Sequence, residues 1–84
     1  MDLRVIKVEK RKTEKSGEFN LIFFKKVSTG LTSISKFGGD VYMMMASLED
    51  SDEMKIKVGK VFKDEDESNW KRGEGEYSSI LQPI

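Results

Sequence analysis

The chain has 84 residues, 15 Lys/Arg against 15 Asp/Glu, and neither cysteine nor histidine. Without these two residue types there is no disulfide framework, no thiolate or imidazole metal site, no Ser-His-Asp or Cys-His catalytic centre and no side chain that switches charge near neutral pH. No apolar run approaches the roughly 20 residues of a membrane span, and the early charges Asp2 and Arg4 do not read as a signal peptide.

Leu3 to Lys12 (LRVIKVEKRK) opens with β-branched residues on both faces and becomes purely charged from Glu9. Strict alternation puts Leu3, Val5 and Lys7 on one face and Arg4, Ile6 and Val8 on the other. Lys15-Ser16-Gly17-Glu18 is a turn, so Glu18 to Ser28 (EFNLIFFKKVS) returns as the second arm of a hairpin. Its faces are Phe19, Leu21, Phe23, Lys25, Val27 and Asn20, Ile22, Phe24, Lys26. Leu31 to Phe37 (LTSISKF) reads as a further strand, ended by Gly38-Gly39.

Val41 to Leu48 (VYMMMASL) is read as a strand, with Met43 and Met45 sharing a face, followed by an acidic loop at 49–53. Met54 to Lys63 (MKIKVGKVFK) alternates clearly until Gly59, where the phase slips by one; Gly59 therefore reads as a bulge or a bend at a barrel corner. A second acidic loop covers 64–69. Trp70-Lys71-Arg72 leads into a glycine-containing turn, and Glu76 to Leu81 is the final strand, with Pro83 ending its pairing.

Six short strands, no long helix pattern and one small core predict a single all-β domain over 1–84. The economical form is a five- to six-stranded antiparallel barrel, OB-like, that closes its own edges; an SH3-like barrel or a curved open sheet are the alternatives. The acidic clusters lack the spacing of a calcium loop, and the glycine pairs match neither a P-loop nor a dinucleotide fingerprint. No metal, no cofactor and no enzymatic activity are expected.

Charge is unevenly distributed: residues 1–38 hold nine basic and four acidic residues, residues 39–84 six and eleven. The basic part is interleaved with aromatic rings. Single-stranded nucleic acid needs cations along its phosphates and flat rings under its bases. On this pattern Phe24, Phe37, Tyr42 and Trp70 are the candidate stacking residues, and Lys10, Lys12, Lys26, Lys36, Lys71 and Arg72 the candidate phosphate contacts. One of Phe23 and Phe24 must face away from the interior, since residues 19–28 hold more bulky apolar groups than one core face can use. Ordinary core aromatics with solubilising lysines are the competing interpretation.

In size, in its all-β opening Val5-Ile6-Lys7-Val8-Glu9, in its long charged first hairpin and in the Trp70-Lys71-Arg72 and Tyr77-Ser78-Ser79-Ile80 stretches, the chain resembles small OB-fold single-stranded-DNA-binding proteins of bacteriophages and plasmids. The resemblance implies non-enzymatic, sequence-independent and cooperative coating of single strands, commonly as a dimer. Apolar residues on both faces of the first two strands also favour a homodimer. The alternative function is a phage or mobile-element protein-interaction module that binds or inhibits a host protein, through an edge strand or the acidic loops. A cytoplasmic location is expected in either case, the host cytoplasm for a viral chain.

Overall fold

The structure is a computed structural model and describes residues 1–15, 17–27, 41–75 and 78–84. Six strands form one sheet, curled into a half-barrel: β1 (Leu3–Thr13), β2 (Gly17–Lys26), β3 (Val41–Ser47), β4 (Val61–Phe62), β5 (Trp70–Arg72) and β6 (Ile80–Pro83), in the spatial order β4-β1-β2-β3-β6-β5. A short helix, α1 (Leu48–Glu53), follows β3, and a 3₁₀ turn (Glu67–Asn69) precedes β5. All pairings are antiparallel except β3 with β6, which is parallel. The all-β, barrel-like fold is thus the observed one, with one parallel pair where the sequence led us to expect none.

The β1–β2 hairpin turns at Gly17, whose φ of 67° lies in the left-handed region that a residue without Cβ enters freely. The register of this pair shifts once: Val5 lies opposite Phe24, whereas Lys7 lies opposite Phe23. Ile6 is therefore the extra residue of a β-bulge. Ile6 and Lys7 both end up exposed, and Val8, opposite Ile22, packs against the same core as Leu3 and Val5. Strict alternation had placed Val8 on the other face; the bulge corrects it.

The inner face of the sheet holds the core. Leu3 and Val5 of β1, Ile22 and Phe24 of β2 and Tyr42 of β3 are buried, and Met44, Ala46, Ile56, Phe62, Trp70 and Leu81 pack against them. Phe24 stands at the centre. Its ring meets Phe62 of β4 edge-on at 5.5 Å and Trp70 of β5 at 6.2 Å, so residues from both ends of the sheet close over one side chain.

Two sequence expectations need correction. The acidic stretch 49–53 is not a loop but α1. Ser47 caps it, its Oγ accepting from the Asp50 backbone N–H at 3.0 Å, and Glu49 and Asp50 in the first turn suit the positive end of the helix dipole. The strand expected over Met54–Lys63 shrinks to Val61–Phe62. Met54 closes the helix, Lys55 (φ 54°) and Gly59 (φ 98°) are left-handed, and only Ile56 of the alternating trio reaches the core, while Val58 is 65% exposed. Gly59 marks a bend: its N–H donates to the Val5 carbonyl at 2.8 Å as the chain turns into β4. Pro83 ends the last strand as expected, paired opposite Trp70. The strand expected at 31–37 and the start of the one expected at 76–81 lie outside the described residues.

Candidate nucleic-acid interface

The two faces of β2 follow from its partners. Phe24 lies between Val5 and Tyr42, and Ile22 between Val8 and Met44, all turned inward. The alternate residues Phe23, Leu21 and Phe19 therefore face outward. On β1 they are flanked by Lys7, Glu9 and Arg11, and on β3 by Met43, Met45 and Ser47. The result is an outer face with apolar centre columns and a charged column beside them.

This arrangement corrects the expected stacking set. Phe24 and Tyr42 are only 2% and 4% exposed, so neither offers a ring face to a base. Trp70 is half-buried, edge-on to both Phe24 and Tyr42, and its indole Nε1 is sealed from solvent without a hydrogen-bond partner. The reason is register: Trp70 shares its face with Leu81, and that face turns inward where β5 curls over the core. Phe23, not Phe24, is the ring of that pair that points outward. Phe37 and Lys36 lie outside the described residues.

Nor does the structure gather the expected cations in one place. Lys10 and Lys12 sit on the outer part of the hairpin, with Lys10 bound to Glu18 at 3.3 Å. Lys26 is at the opposite end of β2, facing Leu3, and is held by Glu67 at 2.8 Å. Lys71 and Arg72 belong to the edge strand β5, where Arg72 Nη1 donates to the Ser78 carbonyl at 3.2 Å.

A different set is brought together. An open cleft of about 380 Å³ is lined by Arg11, Lys12, Thr13, Phe19, Leu21, Met43, Met45 and Gln82. A neighbouring depression of about 330 Å³ shares Met43, Met45 and Gln82 and continues to Pro83. The groove thus crosses β2, β3 and β6 on the outer face. Met45 at its centre is 63% exposed, whereas Met43 is buried without belonging to the core cluster. Phe19 and Phe23 stand four residues apart on β2, about 13 Å along the strand at the usual rise. The Lys7 ammonium lies 5.8 Å from the Phe23 ring centroid.

One anion interrupts the basic column. Glu9 accepts from Lys7 at 2.8 Å and from Arg11 at 2.9 Å. These two hydrogen bonds hold its carboxyl below the ordinary carboxylate value.

Phe19, Leu21 and Phe23, together with Met43 and Met45, are already two same-face sets in the alternation. The missing information was which set faced the core, and that depends on the pairing of three strands.

Among the described residues no three metal-ligating side chains lie together, and no helix is long and apolar enough to cross a membrane. No family model, curated protein or solved structure matches the chain.

Proposed function

We propose that this protein binds single-stranded nucleic acid, with single-stranded DNA as its first ligand, on the outer face of β1, β2 and β3 and without catalysis. The observation that carries this reading is the outer face: Phe19 in the cleft over a soft floor of Leu21, Met43 and Met45, and Phe23 further along β2, with Arg11 and Lys7 opposite the two rings on β1. Rings and polarisable apolar groups accept base faces, and the adjacent cations meet phosphates. In OB-folds the face of strands 2 and 3 is the one that takes oligonucleotides. Phe19 and Phe23 replace Phe24, Tyr42 and Trp70 in the stacking role.

The test is a titration of fluorescein-labelled oligo-dT by anisotropy. Binding is expected at low salt, weakening linearly in log–log form as salt rises, at about 0.7 per phosphate neutralised. Phe19→Ala combined with Phe23→Ala should lower affinity by at least about tenfold, since stacking is worth about 1–3 kcal/mol per base. No anisotropy change up to high micromolar protein at low salt would overturn the proposal.

A second reading rests on Met45. A thioether so exposed beside Leu21 and Met43 also suits a protein surface, a second copy of the chain included. Partners that survive nuclease treatment in a pull-down, and that are lost in Met45→Lys, would favour this interaction module; a dimer mass lost in the same variant would favour self-association.

A further inference from the structure

We propose that Glu9 limits the affinity of the outer face by competing with phosphate for Lys7 and Arg11; this rests on the nucleic-acid reading above.

Lys7, Glu9 and Arg11 alternate along β1 after the bulge and project on one side, opposite Phe23, Leu21 and Phe19 respectively. Side chains two apart on a strand are about 6.6 Å apart, so a carboxylate in the middle position reaches both neighbours. It does so here, one oxygen taking Lys7 and the other Arg11, at 2.8 and 2.9 Å. Glu9 is the covered member of the trio: its side chain is 27% exposed, against 60% for Lys7 and 57% for Arg11.

The two cations on β1 opposite the outward rings Phe23 and Phe19 are thus both committed to one internal anion. The trio presents a net charge of one where its two cations alone would present two. Exposed ion pairs are weak, so the carboxylate does not lock the cations away; it exchanges with an incoming phosphate. Each exchange subtracts from the binding free energy and from the number of counterions released by the nucleic acid. The other bridge of the hairpin, Lys10 with Glu18, does not perform this role, because Lys10 lies opposite Asn20 on the other face.

The experiment compares the full chain with Glu9→Gln and, as a charge control away from the face, with Glu53→Gln on α1. Each binds labelled oligo-dT over a series of salt concentrations. Glu9→Gln should tighten binding about five- to tenfold at low salt and steepen the log–log salt slope by about 0.7 to 1.4, the signature of one or two further phosphate contacts. Glu53→Gln should change affinity less than twofold. In a chain carrying Lys7→Gln and Arg11→Gln, the further change Glu9→Gln should have no effect. Glu9→Asp, which keeps the charge but shortens its reach, should fall between the native chain and Glu9→Gln, and it serves as a second variant if the first is unstable. If the native chain binds and Glu9→Gln leaves affinity and slope unchanged, or matches Glu53→Gln, the limiting role of Glu9 is wrong while the nucleic-acid reading stands. If neither chain binds, both fall together.

Discussion

The rings of Tyr42 and Trp70 meet edge to face, with centroids 5.2 Å apart and planes at 90°, although β6 lies between their strands in the sheet. The contact spans the concave side of the half-barrel and joins a central strand to an edge strand. Trp70→Ala removes it together with the edge contact to Phe24, at a cost of about 3–5 kcal/mol, which urea unfolding followed by circular dichroism would show. The same packing sets a spectroscopic expectation. Trp70 emission should be blue-shifted in the folded chain and should change little when oligo-dT binds, because the indole is packed against the core and not against a base.

Phe23 and Phe24 are neighbours in sequence with opposite roles. Phe24→Ala should cost about 3–5 kcal/mol, a large part of the stability of so small a domain. Phe23→Ala should leave the melting temperature within a few degrees of the native chain and reduce oligonucleotide affinity by about five- to a hundredfold, from the loss of one stacking ring. Thermal melts and anisotropy on the two variants separate these effects. Equal destabilisation by both would contradict the assigned faces of β2.

Acid should destabilise the fold late. Three carboxyls lie below their ordinary values: Glu9 through hydrogen bonds from Lys7 and Arg11, Asp66 through the Ser68 backbone and hydroxyl, and Glu67 through Lys26. A carboxyl lowered by folding contributes stability above its unfolded pKa and loses that contribution as pH falls through the folded value. With no histidine, little titrates between about pH 5.5 and 7. The melting temperature should therefore be level across that interval and fall below about pH 4.5, where carboxyls ordinarily begin to protonate. Glu67→Gln should flatten the acid limb, and a decline already present between pH 7 and 6 would contradict this account.

Ser47 serves as the cap of α1, and Ser51 anchors the helix to the sheet. Ser51 Oγ donates to the Ser47 carbonyl at 2.8 Å and accepts from Asn20 Nδ2 at 2.9 Å, which satisfies this buried hydroxyl. Ser47→Ala should cost about 1 kcal/mol and speed hydrogen exchange at the Asp50 amide. Unchanged exchange there would show that α1 does not depend on its cap.

The parts of this fold governed by local chemistry were legible in the sequence. The Lys15-Ser16-Gly17-Glu18 turn and the alternation on either side of it specify the hairpin, and the Gly59 phase slip marks a true bend. Helix α1 carried a local signal as well, since Ser47-Leu48-Glu49-Asp50 has the Ser-x-x-Asp spacing of a capping box, but the density of acids after it read as solvated loop. Faces were less accessible. A strand with apolar residues on both sides, such as Phe19 to Phe24, does not reveal which side is inside until its partners and their bulges are known. One extra residue at Ile6 inverts the alternation of all that follows on β1. The candidate interface depends on this non-local register, so the residue types were recognised while the particular rings and cations were exchanged for their neighbours.

The bulge at Ile6 has a consequence for how this chain tolerates change. Before it, β1 is hemmed in by β4 and β2, and Leu3 and Val5 fill the interior. Past Arg11 and Phe19, among the described residues, the two arms of the hairpin pair in the sheet with each other alone, Lys12 opposite Glu18 and Thr13 opposite Gly17. Side chains alternate with a period of two, so this ribbon can be lengthened or shortened by two residues per arm without turning any inward group outward. A change of one residue per arm would reverse the facing of the tip alone. The reach of the hairpin is therefore adjustable in fixed steps, independently of the packing that keeps the barrel folded.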